Sequence, residues 1–294
     1  MEINARKTKI PLILFLLLIS CTGCADKRIT VYYTDNVNEY TLRNTYENES
    51  DSSIASTETL VNYDSNYASM NDYYSALADN AVSEGRNVVY LTFDDGSSVL
   101  TSKVLDILEQ YNVKATFFVV GKFSSSDVNA KECYLDILKR GHSLGIHSYT
   151  HSRTDIYASL EAFSYDCSKM RDYVYNLTGY TPWLYRFPGG STSIYADEKM
   201  KTQYIPYIES IGMVYYDWNV SSGDGSSDTT AEQIYNNVIQ GVSENSVSVV
   251  LCHDGIGREN TLTALPKILD TLINDMNCLI IPITENTVPV QFQL

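Results

Sequence analysis

The chain has 294 residues, of which 44% are hydrophobic, and this length suits one large α/β domain with a modest appendage. It contains 36 Asp and Glu against 21 Lys and Arg, for a formal net charge of -15 at pH 7. Nucleic-acid binding needs a basic patch that neutralises phosphates, and none is visible in the sequence. The composition therefore excludes nucleic acid as a partner.

The first 24 residues are predicted to be an export signal. A start with three basic residues precedes an apolar run over residues 11–19, which is too short to span a bilayer comfortably. The tetrapeptide L-I-S-C that ends at Cys21 resembles a bacterial lipobox and predicts lipidation of Cys21. Cys24 is a second candidate, and an ordinary cleaved signal or an uncleaved anchor stays open. Each alternative places the rest of the chain outside the cytoplasm.

Residues 25–85 are rich in Asn, Ser, Thr, Asp, Glu and Tyr and lack a sustained apolar period. Such a segment buries too little surface to offset the chain entropy lost on folding, so we predict a largely disordered tether. A short helix over residues 70–81 is the exception, because Tyr73, Leu77 and Ala81 fall near helical spacing. The folded domain is predicted to cover residues 86–294.

Short apolar runs alternate with segments of helical spacing throughout this domain. Seven strands are predicted, over residues 88–93, 115–120, 143–147, 183–187, 212–218, 246–252 and 278–283. The alternation is typical of a mostly parallel sheet covered by helices, which can close into a barrel. Chemistry in such folds lies at the C-terminal rim, so the residues just after each strand are the functional candidates.

The first strand of the domain ends in T-F-D-D-G, which places Asp94 and Asp95 at the rim. Two carboxylates this close need a cation or a shared proton. The glycine that follows them lets the backbone turn sharply. An ordinary turn with capping aspartates is the alternative for this motif taken alone.

Two histidines follow the third predicted strand, in the motif H-S-Y-T-H. His147 and His151 are four residues apart, a spacing that brings both imidazoles to one side of a helical turn or a compact loop. With a carboxylate they predict a catalytic divalent-metal site. The glutamate of the H-E-x-x-H metalloproteases is missing, which argues against that class. His142, at the opposite end of the strand, is predicted to be structural.

Two further strands bring an arginine and a histidine to the same rim. The fourth strand ends in R-F-P-G-G, where Arg186 is predicted to pair with Asp94 and the Gly189 N–H to face a developing oxyanion. A surface arginine on a turn is the alternative. The sixth strand ends in L-C-H-D, which brings His253 to the rim. Asp224, at the end of D-W-N-V-S-S-G-D, is predicted to raise the pKa of His253 and keep it protonated.

These segments, in this order, resemble the polysaccharide deacetylase family, whose members carry the NodB homology domain and form carbohydrate esterase family 4. The resemblance covers residues 86–283 and rests on T-F-D-D-G, H-S-x-x-H, R-x-P-x-G, the D-W loop and L-x-H. It implies an α/β fold, a distorted (β/α)7 barrel, with a divalent metal that is usually zinc and sometimes cobalt or another ion.

The resemblance also implies a role for each motif residue. The family's metal triad is matched by Asp95, His147 and His151. Asp94 corresponds to the base that activates water, and Arg186 to the partner that orients it.

The remaining motifs correspond to the acid and the acetyl pocket. His253 matches the catalytic acid and Asp224 the carboxylate that tunes it, while Leu251 matches the apolar wall around the acetyl methyl and Gly189 the oxyanion donor.

Two positions depart from the family pattern. Gly225 stands where many members have a Trp after the loop aspartate, so the acetyl pocket is expected to be wider unless Trp218 compensates. Ser97 replaces a Pro often seen after the first motif.

The function implied is metal-dependent removal of N-acetyl groups from an extracellular polysaccharide, above all peptidoglycan N-acetylglucosamine, with release of acetate. An amide needs a general acid more than an ester does, because an amine anion is a poor leaving group. An O-acetyl esterase acting on xylan-type glycans and a non-catalytic glycan-binding module stay open. The expected partners are the glycan and, through the N-terminal anchor, the cell membrane.

Overall fold

The computed structural model describes residues 29–33, 39–44, 59–61, 63–121 and 129–294, with side chains from residue 70 onward. The predicted signal over residues 1–24 and the lipidation candidate Cys21 lie outside the described residues. The chain divides into two compact units, Met1–Val61 and Asn62–Leu294. Within the described parts, every helix falls short of the length and apolar character that crossing a membrane requires.

The first unit contains a small antiparallel sheet within the segment predicted as a tether. Its strands follow the order β1-β2-β3 and span Ile29–Tyr33, Glu39–Asn44 and Thr59–Val61. Polar composition predicted disorder here, but the I-T-V-Y-Y run is rich in β-branched and aromatic residues that favour strands. These three strands lie within the segment for which the composition predicts a largely disordered tether.

The second unit is built on a parallel sheet that curls into a distorted barrel. Its strands are β4 Val88–Asp94, β5 Thr116–Val120, β6 Ser143–Ser148, β7 Leu184–Tyr185, β8 Val214–Tyr215, β9 Val220–Ser221, β10 Val247–His253 and β11 Leu279–Ile280. They follow the order β8-β7-β6-β5-β4-β10-β9, and β11 pairs with the start of β4. All seven predicted strands are present, and β9 is an addition of two residues.

Helices connect and cover these strands. They are α1 Tyr63–Ser83, α2 Val99–Gln110, α3 Ala130–Lys139, α4 Arg153–Ile156, α5 Leu160–Thr178, α6 Ile205–Ser210, α7 Ala231–Ser243 and α8 Glu259–Asp270. One π-helical turn precedes α6 and another follows α8.

Helix α1 belongs to the second unit although it lies before the predicted domain start at residue 86. Ala81 is 1% exposed, and Tyr74 and Ala78 pack against the same cluster. Their spacing of four and three residues places them on one helical face. Because the residues around that face are polar, the helical pattern is weak in the sequence. The predicted helix over residues 70–81 is part of the longer helix Tyr63–Ser83, and the second unit starts at Asn62, before residue 86.

Both faces of the sheet are buried, as expected for parallel strands covered by helices. In β4, Val89, Leu91 and Phe93 join the cluster beneath the outer helices, whereas Val88 and Tyr90 face the barrel interior. This alternation follows from the two-residue period of a strand. It means that the side chains that continue the interior set beyond Tyr90 point into the barrel mouth.

Candidate active site

The predicted site residues are brought together because they continue the interior-facing sets of their strands. Asp94 follows Val88 and Tyr90 on β4, and His253 is its register partner on β10. Neighbouring strands lie about 5 Å apart, so these two side chains are adjacent. On β6, a side chain at Gly145 would come within 2.7 Å of the Phe118 ring inside the barrel, so His147, two residues later, also points inward.

Asp95, His147 and His151 form a cluster suited to a metal ion. One ligand atom from each lies within 4.8 Å of the other two. Asp95 Oδ1 is 3.2 Å from His151 Nε2 and 3.8 Å from His147 Nε2. Asp95 Oδ1 is also buried without a hydrogen-bond partner, which suits an atom that binds a cation.

The protonation state of His147 fits the same interpretation. Its Nδ1 lies 2.7 Å from the carbonyl oxygen of Arg186, so Nδ1 carries the hydrogen and Nε2 presents a lone pair toward Asp95. Burial, reinforced by the charge of His151, lowers the pKa of His147 to about 3. A neutral imidazole of fixed tautomer is the form that binds a divalent metal.

The backbone conformation is unusual at two members of this cluster, Asp95 and His151. Asp95 has φ 73° and His151 has φ 54°, both in the left-handed region that non-glycine residues rarely adopt. Such conformations persist only where the surrounding structure enforces them, and they concentrate at functional sites.

Asp166, which sequence reasoning missed, organises the H-S-Y-T-H loop from helix α5. Its carboxylate accepts hydrogen bonds from Ser148 Oγ at 2.7 Å, from Tyr149 N at 3.0 Å, and from Thr150 N and Oγ1 at 2.9 and 2.8 Å. Asp166 is buried one turn after Phe163, on the apolar face of α5. An acidic residue on an apolar face was the sequence signal that could have identified it.

The predicted pair of Asp94 and Arg186 is present and buried. Arg186 Nη1 donates to Asp94 Oδ1 at 2.9 Å and to Thr92 Oγ1 at 2.6 Å. Its Nε and Nη2 donate to the carbonyl oxygens of Tyr216 and Asp217, each at 3.0 Å. Burial raises the pKa of Asp94, and the charge and hydrogen bond of Arg186 act in the opposite direction. Asp94 Oδ2 remains directed toward His147 Nε2, 3.9 Å away.

The predicted pair of His253 and Asp224 is also present. Asp224 Oδ1 lies 2.7 Å from His253 Nδ1, and Oδ2 accepts from His253 N and from Thr261 Oγ1, each at 2.7 Å. Burial alone would lower the pKa of His253, but the hydrogen bond and charge of Asp224 raise it to about 9. Burial raises the pKa of Asp224, and the bonds from His253 outweigh this and lower it overall. His253 is therefore protonated at neutral pH.

The residues predicted to surround the acetyl group lie at the same rim. Leu251 is buried on β10, two residues before His253. Gly189 has φ 86°, a conformation that favours glycine. Trp218 packs beside the next residue, since a Cβ atom built at Gly190 would come within 3.0 Å of both the Trp218 and Phe292 rings. Phe292, from the end of the chain, contacts Trp218 edge to face at 5.0 Å and was not predicted.

Asp217 holds this aromatic wall to the loop that contains Gly189. Its carboxylate accepts from Ser191 N at 2.8 Å, from Ser191 Oγ at 2.5 Å and from Phe292 N at 2.8 Å. Asp217 is fully buried. Asp217 opens the D-W loop, but its role was not predicted, because its partners come from segments distant in the sequence.

Asp254 supports the loop that carries the two aspartates. It is 1% exposed, and its Oδ2 accepts from Thr101 Oγ1 at 2.6 Å. A side chain at Gly96 would come within 2.8 Å of that carboxylate, so the T-F-D-D-G motif needs its glycine for close approach. Burial, with Asp95 and Asp94 nearby, raises the pKa of Asp254 to about 7.

The position of the family tryptophan is open. A side chain built at Gly225 would meet only His253 Cε1, at an ordinary contact distance of 3.6 Å. Trp218 packs at Gly190 instead, so the structure leaves room beside the imidazole of His253.

Comparison with known proteins places the chain in a family. Residues 81–207 match the family model described as polysaccharide deacetylase. The chain is 31% identical over 199 residues to a peptidoglycan-N-acetylglucosamine deacetylase of Bacillus cereus. The matched region covers 65% of this chain and 84% of that protein. The chain therefore belongs to the polysaccharide deacetylase family, which the resemblance of its motifs predicted.

A solved structure and a second relative agree with this assignment. The catalytic domain of peptidoglycan N-acetylglucosamine deacetylase from Eubacterium rectale superposes with a TM-score of 0.65 at 36% identity, covering 71% of this chain and 93% of that one. The predicted distorted (β/α)7 barrel is thereby confirmed. A bifunctional xylanase/deacetylase of Pseudobutyrivibrio xylanivorans is 33% identical over 192 residues, 65% of this chain. The chain spans only 29% of that protein and 64% of a Bacillus subtilis relative.

Proposed function

We propose that the protein is a metal-dependent hydrolase that removes N-acetyl groups from peptidoglycan N-acetylglucosamine and releases acetate. The observation that carries this proposal is the pairing of a carboxylate base and a protonated imidazole in register across β4 and β10. Asp94 and His253 are adjacent there, beside the cluster of Asp95, His147 and His151.

Two imidazoles and one carboxylate suit Zn²⁺, which takes three protein ligands at catalytic sites and leaves a position open. Co²⁺ or another divalent ion could bind the same donors. When bound, the ion would supply Lewis-acid polarisation of the acetyl carbonyl and a water of lowered pKa. Asp95, His147 and His151 would hold it.

Asp94 is placed to accept a proton from the attacking water. Its Oδ1 is held by Arg186, which leaves Oδ2 directed toward the cluster, 3.9 Å from His147 Nε2. The guanidinium favours the ionised carboxylate and fixes its orientation. The Gly189 N–H is proposed to stabilise the oxyanion that forms as water adds to the carbonyl.

His253 is placed to deliver a proton to the leaving nitrogen. Its Nδ1 hydrogen is engaged by Asp224, so the Nε2 hydrogen is the one available for transfer. The raised pKa keeps this hydrogen in place at neutral pH. Collapse of the tetrahedral intermediate then releases acetate and a free amine on the sugar.

The acid favours an amide over an ester as the substrate. An alkoxide can leave without full protonation, whereas an amine anion cannot, so a site with a tuned imidazolium suits N-deacetylation. Hydrolysis of O-acetyl groups on xylan is the second candidate, because the same base and metal ligands would serve it. A purely glycan-binding role does not account for the two ion pairs, Asp94 with Arg186 and His253 with Asp224, at one rim.

We further propose that the catalytic unit is held at the outer face of the cell membrane. The support is the predicted signal over residues 1–24 with its lipobox at Cys21. That position would place the site next to the wall polymer.

The proposal is tested by acetate release from peptidoglycan, chitooligosaccharides and acetylated xylan, with added Zn²⁺ and with chelator, beside an Asp94→Asn control. We expect zinc-dependent release from the N-acetylated glycans that is lost in the control. Release from xylan alone would move the assignment to an O-acetyl esterase. Metal binding without release from any of the three would favour the glycan-binding role.

A further inference from the structure

Two arginines that the mechanism does not use flank the reaction centre. Arg153 begins helix α4, directly after the metal-binding histidine loop, and Arg258 directly precedes helix α8. Arg153 is exposed and Arg258 is half-buried. Both guanidinium groups are therefore accessible from solvent at the rim of the barrel.

Contacts at two glycines fix where these guanidinium groups lie. Arg153 Nη1 is 3.6 Å from a Cβ atom built at Gly189, the proposed oxyanion donor. Arg258 Nη2 donates to the Gly225 carbonyl oxygen at 3.1 Å, and a side chain built at Gly225 would lie 3.6 Å from His253 Cε1. One arginine thus lies beside the oxyanion position and the other beside the acid.

Neither arginine forms an ion pair with a carboxylate in the described part of the chain. The other rim arginine, Arg186, is paired with Asp94, and Arg140 pairs with three carboxylates. Arg153 and Arg258 thus bring two cations without carboxylate partners to the mouth of one site, in a chain with a net charge of -15. Unpaired guanidinium groups suit carboxylates, which they can bind through two parallel hydrogen bonds.

We propose that Arg153 and Arg258 are specificity-determining residues that bind carboxylates on the glycan, so that the site selects a charged strand over a neutral one. This inference rests on the proposed deacetylase function and names the kind of strand that the site takes. The absence of a side chain at Gly225 supports it, since a bulky aromatic there would take up space beside both His253 and Arg258. Each arginine would contact a substituent of a sugar next to the one that is deacetylated.

In peptidoglycan such carboxylates have two sources, the lactyl group of muramic acid and the stem peptide attached to it. Strands stripped of stem peptides expose the lactyl carboxylates, whereas intact strands carry carboxylates only on the peptides. Converting the lactyl carboxylates of stripped strands to methylamides removes the charge and keeps the sugars. These three strands separate charge from sugar identity and one source of charge from the other.

The experiment measures kcat and KM for acetate release from the three strands with the full-length zinc-loaded protein and with Arg153→Gln, Arg258→Gln and the double variant. Binding of the same strands to Asp94→Asn protein by calorimetry gives a readout that does not need turnover. Arg171→Gln is the matched control. Arg171 also donates to a backbone carbonyl oxygen and lacks a carboxylate partner among the described residues, but it lies on helix α5 and its contact is with Ile211, at the end of α6. Arg→Lys variants test whether charge alone suffices.

We expect the wild type to prefer a charged strand over the methylamide, with the difference in KM rather than in kcat. Each Gln variant should lower that preference about five-fold, the upper range for an exposed ion pair, while Arg171→Gln leaves it unchanged. The charged strand whose preference over the methylamide falls more in the Gln variants identifies the source of the carboxylate. A larger fall for the stripped strand indicates the lactyl group, and a larger fall for the intact strand indicates the stem peptide. The same order should appear in the calorimetric affinities.

Equal KM values for charged and methylamide strands in the wild type would overturn the inference, as would a preference that survives in the double variant. Either result would leave deacetylation itself intact. No acetate release from any strand would instead contradict the proposed function, and the calorimetric arm would then decide the inference alone.

Discussion

The buried ions Asp94 and Arg186 depend on each other. Arg186 is fully buried, and four of its hydrogen bonds involve Asp94, Thr92 and two backbone carbonyls. Removing one partner of a buried pair leaves an uncompensated charge, which typically costs about 3–5 kcal/mol. The pair therefore joins the stability of the barrel to the orientation of the proposed base.

We predict that Arg186→Met lowers the free energy of unfolding by about 3–5 kcal/mol, and that Arg186→Met in an Asp94→Asn background costs less. Urea denaturation of the two single variants and the double variant measures the coupling. Additive effects of the two substitutions would show that the carboxylate does not depend on the guanidinium.

The pH dependence of activity follows from His253 and Asp224. A general acid must be protonated, so activity on an amide should fall as pH rises through the pKa of His253, which Asp224 raises to about 9. Asp224→Asn removes the charge that raises this pKa, so the alkaline limb should move toward the ordinary value of 6.5. Rate profiles of kcat/KM against pH for both proteins test this prediction. An alkaline limb that stays in place would exclude His253 as the titrating acid.

At the scale of the elements, helix α1 is the main difference between expectation and structure. Its residues Tyr74, Ala78 and Ala81 cover the interior cluster that includes Val88 and Tyr90. Helix α1 precedes the family motifs and is mostly polar. Its packing against the barrel therefore could not be predicted from the sequence pattern.

We predict that a chain starting at residue 86 is less stable than one starting at residue 62. Loss of the apolar contacts of α1 should cost about 2 kcal/mol, which corresponds to a fall in Tm of about 5 °C for a unit of this size. Thermal unfolding of the two chains measures the difference, and Ala81→Asp in the longer chain should reproduce most of it. Equal Tm values would show that α1 does not stabilise the barrel.

The sequence predicted the elements whose signals are local. Apolar runs predicted seven strands, and all seven are present. The motifs at the strand ends also placed Asp94 with Arg186 and His253 with Asp224, and these contacts are present. Strand β9 was not predicted, because two residues are too few to show an alternating apolar pattern. The roles of Asp166 and Asp217 were not predicted, because each depends on hydrogen-bond donors from distant segments, which only the folded chain brings together.

At the scale of the whole molecule, the candidate site is held by contacts between loops at the mouth of the barrel. Asp254 packs against Gly96, and a side chain at Gly255 would come within 2.9 Å of Asp95 Cβ. Asp217 connects the loop at Ser191 to the end of the chain. These contacts fix the proposed ligands before a metal binds, so binding should stabilise the fold without rearranging it.

The most direct test of the proposed metal site is a zinc titration of chelator-treated protein, read out as acetate released from N-acetylated peptidoglycan. We expect no release without metal, a rise in release to a plateau at one equivalent of Zn²⁺, and a raised Tm at the same equivalence, with the zinc-dependent release and the rise in Tm lost in His151→Ala. Acetate release that is indifferent to chelator, or that persists in the His151→Ala protein, would contradict the assignment of Asp95, His147 and His151 as the ligands of a catalytic metal.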